Sequence, residues 1–424
     1  MKTILAVVTA STAGLLLAAG HPVVDGVTLT HVGGTVEIKY ALSGADAVVT
    51  VDFQTNVTGD VWASIGEENF RNLSGDVNRL VQAGDRSFKW KHVNQEWPGH
   101  RIAEGGFRAV VKAWDKAQPP AYMTVDLASG AVRYYASTNA LPGGFASDVY
   151  KKSTLLMRRI EAAGKTFQMG YGPNDFKSSY LSSEQPHFVT FTNDFYLAVY
   201  ETTQAQFENL YRHVDPSYVY DGEFAGQGEK APACGGGGGK VSYWYLRGWD
   251  NQVRWPRTGM AVGPDSICGK LRDLTQDGIF DLPTESQWEF ACRAGTQTDF
   301  NNGHVLENDS IDPEVDKIAW NKNNCGGSVH EVGLLQPNAW MLYDMHGNVC
   351  ELCRDVFVEK LSANHQIEPT GFNDEGSAAP NHNVRGGSYQ YYLTNLTSAR
   401  RIFGNGGNNV GFRLWADGAA IFGR

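Results

Sequence analysis

Between residues 27 and 127 apolar and polar positions alternate in short runs. Val36, Ile38, Tyr40 and Leu42 are separated by Glu37, Lys39 and Ala41, and Val49, Val51 and Phe53 by Thr50 and Asp52. Phe107, Ala109 and Val111 repeat the pattern around Arg108, and Met123, Val125 and Leu127 close the series. Successive side chains of an extended backbone point to opposite faces, so a period of two predicts strands with one buried and one wet face. Gly, Asp and Asn between the runs supply the turns. Such a series predicts a β-sandwich, immunoglobulin- or fibronectin-like in pattern, over residues 27–127. This stretch holds no cysteine, so no disulfide can join its sheets, and it carries no motif of catalytic chemistry.

The pattern then changes. Residues 128–151 are small, polar and punctuated by Gly and Pro, which predicts a linker or a strand followed by one. Farther on, two windows have helical spacing. Thr203 with Gln206 makes a capping box before Phe207, Leu210 and Tyr211, and Thr284 with Gln287 repeats the device before Trp288, Ala291 and Cys292. Gly295 is placed to stop the second helix. The remainder is glycine-rich and aromatic, so the expectation is an α+β domain dominated by irregular backbone, its loops tied down by ions or disulfides. Gly235–Gly239 reads as a surface insertion. A phosphate-binding loop would need Ser or Thr after Lys240, where Val241 stands.

Composition adds where the protein works. Lys2, the apolar or small run from Ile4 to Ala19, and the small residues Ala18 and Gly20 predict a signal peptide over residues 1–20, cleaved before His21. No other run approaches the roughly 20 apolar residues of a membrane span. The expectation is an exported protein, periplasmic or extracellular, with no membrane span after cleavage. A net charge of −10 argues against a nucleic-acid partner. All six cysteines lie in the second half, and Cys350-Glu-Leu-Cys353 has no second C-x-x-C to complete a zinc ribbon, so structural thiols or a disulfide are expected there.

Six motifs then occur in one order: Phe167-Gln-Met-Gly170, Glu201-Thr-Thr-Gln204, Leu282-Pro-Thr-Glu-Ser-Gln-Trp-Glu289, Asp344-Met-His-Gly-Asn-Val349 with Glu351, Arg385-Gly-Gly-Ser388 and Gly411-Phe-Arg413. Together they resemble the formylglycine-generating-enzyme, or sulfatase-modifying-factor, family over residues 152–415. The resemblance implies a fold related to C-type lectins. It also implies an oxidase chemistry that turns a sulfatase cysteine into formylglycine with copper held by two cysteines just after the Gly-Gly-Ser-Tyr motif. Here Arg385-Gly-Gly-Ser-Tyr389 is followed by no Cys and no Met as far as Arg424. Cu(I) selects thiolate or thioether ligands, so no copper is expected. The family's disulfide from the Cys292 position also lacks its partner, where Leu414 stands. His304, His330, His346, His365 and His382 show no metal-binding spacing, although an iron site assembled in space remains the alternative.

One site carries over by resemblance. Calcium would be held by the side chains of Asp344 and Glu351 and the carbonyls of Gly347 and Val349, an all-oxygen set that suits a hard cation. The functional expectation is an exported binding scaffold without catalytic residues. Its ligand face would be Tyr389, Tyr391, Tyr392, Asn395, Arg400 and Asn408, and its partner a sulfatase, another exported protein or a glycan. The alternative is an oxidase of sulfatase maturation with a replacement metal site.

Overall fold

The computed structural model describes residues 5–7, 20–116, 118–172, 175, 183–235, 240–248, 262–276, 278–309, 311–369 and 381–422. Apart from residues 5–7 and Gly20, the expected signal segment lies outside the described residues, as do 236–239 of the glycine run. The chain divides into two compact units: one of Met1–Tyr122, Ala131–Phe145 and Ala419–Arg424, the other of Met123–Gly130 and Ala146–Gly418.

The alternating runs form the strands of the first unit. Val23–Val32, Thr35–Ser43, Gly84–Trp90 and Leu73–Gly75 pair antiparallel, with Val36 opposite Trp90 and Ile38 opposite Phe88. Ala47–Thr58 pairs with Val61–Ser64, Arg79–Val81 and Phe107–Trp114, setting Val51 opposite Val111 and Phe53 opposite Ala109. The apolar members of both sheets close into one cluster that includes Val36, Ile38, Phe53, Phe88, Trp90 and Phe107. Phe53 sits at its centre, with ring centroids 4.9 Å from Trp90, 5.1 Å from Phe70 and 5.6 Å from Phe107. Each such fully buried side chain stabilises by about 1.5–3 kcal/mol through area removed from water.

The stretch 128–151 includes a strand. Val132–Tyr135 is a strand with all four residues buried, and Ala131–Phe145 belongs to the first unit. The punctuating Gly and Pro flank this run rather than interrupt it, and burial of Val132, Tyr134 and Tyr135 fixes it.

In the second unit Thr154–Ile160, Phe195–Ala198, Trp415–Asp417 and Phe280–Asp281 are neighbours in one sheet. Ile402–Gly404, His382–Arg385, Cys350–Val356 and Val410–Gly411 make another. Every residue of Cys350–Val356 is buried, so this strand is covered on both faces and cannot alternate. Both expected helices form, Gln204–Tyr211 and Glu285–Arg293, each with its capping box closed in both directions. Ala294, not Gly295, takes the first left-handed position after the second helix, with φ 47°; Gly295 follows at 96°. Ile267–Thr275 is a further helix, capped by Ser266, that the apolar spacing did not announce. Among the described residues no helix is long and apolar enough to cross a membrane.

Candidate functional site

The sequence motifs of the second unit meet as pairs of opposite charge in its interior. Glu351, on the doubly covered strand, accepts from Arg413 through both oxygens, Nε–Oε2 at 2.6 Å and Nη2–Oε1 at 2.5 Å. Its Oε2 also accepts from Trp288 Nε1 at 2.6 Å. Next to Trp288 on the same helix, Glu289 pairs with Arg385 and, at 2.9 Å, with Arg293. Arg385 Nη1 donates to the carbonyls of Ala399 and Arg400, at 2.9 and 2.7 Å. These pairs are fully buried. Removing one partner of such a pair leaves an uncompensated charge away from water and typically costs about 3–5 kcal/mol.

Glu201 closes the same interior from another side. It accepts from Asn348 Nδ2 at 2.7 Å and from the Val349 amide at 3.1 Å, clamping the Gly-Asn turn. Burial first, and then the nearby Asp344 and Glu351 charges, push its carboxyl well above the usual range. Gly347 is required at the turn: its φ is 78°, and a Cβ there would lie 2.1 Å from the Trp320 carbonyl oxygen.

The four expected calcium ligands share this stretch, and the side chains of two of them already have partners. Both oxygens of Glu351 are committed to Arg413 and Trp288. Asp344 Oδ2 accepts from the Gly333 amide at 2.7 Å, and Asp344 Oδ1 is buried without a hydrogen-bond partner. Burial pushes the Asp344 carboxyl up to about 6 against the pull of the Gly333 amide and Arg413. Among the described residues no group of three His, Cys, Asp or Glu is arranged to hold a metal ion.

The expected ligand face is divided by burial. Tyr392 is 44% exposed, with Lys322 Nζ 4.4 Å from its ring centre, and Asn408 is exposed. Tyr391 and Asn395 are half-buried. Tyr389 and Arg400 are not on a face at all. Tyr389 packs in a cluster with Cys234, Cys325, Val329 and Val349, and Arg400 is buried against Glu184 at 3.0 Å and Asn395 Oδ1 at 3.0 Å. Tyr and Arg were read as recognition residues because of their type; here the interior claims one for packing and the other for an ion pair. Leu393 and Leu396, in the same segment, are also fully buried.

The histidines are dispersed. His346 is fully buried, its Nδ1 2.7 Å from the Leu396 carbonyl oxygen, so Nε2 is left to accept from the Asn301 amide at 3.2 Å and from the Cys292 thiol at 3.6 Å. Burial holds its pKa down to about 4 and pushes the Cys292 thiol up to about 12. His304 faces Asp312, His330 stacks on Trp320, His365 meets Thr190 and His382 stacks on Tyr243. All six cysteines are free and buried. Burial raises Cys350, to about 12, and Cys353, so neither supplies the thiolate that redox exchange needs.

Sequence reasoning missed the pairing roles of Glu201, Glu289, Glu351, Arg385 and Arg413, although all stand inside the quoted motifs. The available signal was their charge: acids and bases recurring in glycine-rich, aromatic motifs are residues of a buried frame as readily as of a binding site.

Comparison with known proteins bears on this frame. Residues 152–417 match the model of the sulfatase-modifying factor enzyme 1-like domain. Mouse formylglycine-generating enzyme is 30% identical over 154 residues, which are 32% of this chain and 39% of the mouse protein. The chain thus matches less than half the length of that relative. Among solved structures, Treponema denticola variable protein 1 is 22% identical with a TM-score of 0.46, over 62% of this chain and 95% of that one. PvdO from Pseudomonas aeruginosa is 19% identical with a TM-score of 0.44, over 62% and 94%.

Proposed function

From the premise that the chain belongs to the family of sulfatase-modifying factor enzyme 1-like domains, we propose that it is an exported scaffold of that family, binding a protein or a glycan without catalysing thiol oxidation. The observation that carries this reading is the segment after Tyr389. It contains no Cys and no Met, and its Leu393 and Leu396 are buried side chains of a packed interior. Apolar side chains provide no ligand for copper. The surviving parts of the expected face, Tyr392 and Asn408 with half-buried Tyr391 and Asn395, are the aromatic and amide groups that suit a sugar ring or a peptide. The N-terminal unit serves in this reading as an immunoglobulin-like spacer. A sulfatase is the protein partner that the family's activity suggests.

The test is incubation of the purified protein with a Cys-x-Pro-x-Arg peptide and added copper, followed by mass spectrometry. The expected spectrum stays that of the thiol peptide. Time-dependent conversion to the aldehyde would establish the oxidase reading instead.

A further inference from the structure

The first unit holds a site that becomes complete only when the chain is cut. His21 is the residue that signal cleavage after Gly20 would leave at the amino terminus. Its Nδ1 contacts Asp115 Oδ2, and both side chains are partly open to solvent. The two come from different sheets. His21 precedes Val23–Val32, which pairs Val23 with Ser43, while Asp115 directly follows Phe107–Trp114. The backbone at His21 is held in place. Gly44 has a φ of 85°, and a Cβ there would lie 1.9 Å from the His21 carbonyl oxygen, so Gly44 lets the first strand's start lie flat against the turn. Pro22 fixes φ at the next residue.

In the uncut chain His21 and Asp115 offer a metal ion only two ligand groups, an imidazole nitrogen and a carboxylate oxygen. Cleavage adds a third: the new α-amine of His21 itself, with an ordinary pKa of about 8, available as a neutral nitrogen near neutrality. An α-amine and the Nδ1 of the same histidine close a six-membered chelate ring on one metal ion, and the Asp115 carboxylate stands at that Nδ1. A nitrogen, nitrogen, oxygen set open to solvent favours late divalent transition metals, with Cu(II) bound tightest in the divalent order. We infer that the processed amino terminus is a metal site, in which the His21 α-amine, His21 Nδ1 and Asp115 Oδ2 bind Cu(II). The inference rests on the export reading for the position of the cut and is independent of the second unit.

The experiment compares the chain beginning at His21, prepared with a site-specific protease, with the same chain acetylated at its α-amine. Each is titrated with Cu(II) chloride against a competing chelator and followed by electron paramagnetic resonance. The His21 chain is expected to bind one copper at least about 100-fold tighter than the acetylated chain, with superhyperfine splitting from two nitrogens. The Asp115→Asn variant of the His21 chain should weaken binding about tenfold while keeping both nitrogens. Equal binding by the two chains overturns the site. Exported protein whose amino-terminal sequence begins anywhere other than His21 overturns the proposal through the export reading instead.

Discussion

Phe53 in the first unit and Glu351 in the second are both out of contact with solvent, and they are kept there by opposite means. Phe53 is one apolar ring among Phe70, Trp90 and Phe107, on a strand paired along Val48–Thr55 with Phe107–Trp114. Glu351 is a charge whose two oxygens are taken by a guanidinium and an indole. The first interior is non-directional and forgiving of chemistry so long as volume is conserved. The second is directional: Glu201, Glu289, Glu351, Arg385 and Arg413 each bond to backbone groups or partners far away in sequence, and so tie together segments distant along the chain. An irregular backbone has more carbonyls and amides without ladder partners, and buried charges are strong donors and acceptors with which to satisfy them.

Substitutions should separate the two interiors, read by hydrogen exchange on peptides from each unit. Arg385→Met leaves Glu289 with Arg293 and the Gly170 amide and strips the Ala399 and Arg400 carbonyls of their donor; the second unit should lose about 3–5 kcal/mol while the first keeps its protection. Phe53→Ala should do the reverse, at about 3–4 kcal/mol, by opening a cavity among Phe70, Trp90 and Phe107. Protection lost in both units by either change would mean that the interiors are not separable.

A smaller effect follows from pH. Asp355 is fully buried, and burial followed by the Glu285 charge raises its carboxyl to about 7. Arg401 is committed to Glu285. The folded protein therefore keeps a proton that the unfolded chain releases near 4. That contribution is fully present below about 4 and is lost as pH rises through 7. Urea unfolding of the second unit should show it weakening by on the order of 2 kcal/mol across that window, and Asp355→Asn should flatten the slope. The smallest change is Thr284→Ala, which opens the capping box and should cost the second unit about 1 kcal/mol.

The two units also differ in how far they could be read from sequence. Val36 to Leu42 and Val49 to Phe53 announced their strands because one face is wet. Cys350–Val356 is buried on both faces, so its period carries no signal, and only the motif around it marked the place. The capping boxes at Thr203 and Thr284 were legible because they are local; Glu351 with Arg413 spans 62 positions and was not. Tyr389 and Arg400 show the same limit. Residue type suggested recognition, and tertiary burial decided otherwise.

The account turns on whether Glu351 is the counter-ion of Arg413 or a ligand to a bound cation. A double-mutant cycle of Glu351→Gln and Arg413→Met, measured by urea unfolding in calcium and again in chelator, decides it. The pair reading predicts coupling of about 2 kcal/mol or more, the same in both buffers. Additive single changes within about 0.5 kcal/mol, together with a native protein that is markedly more stable in calcium, would contradict it.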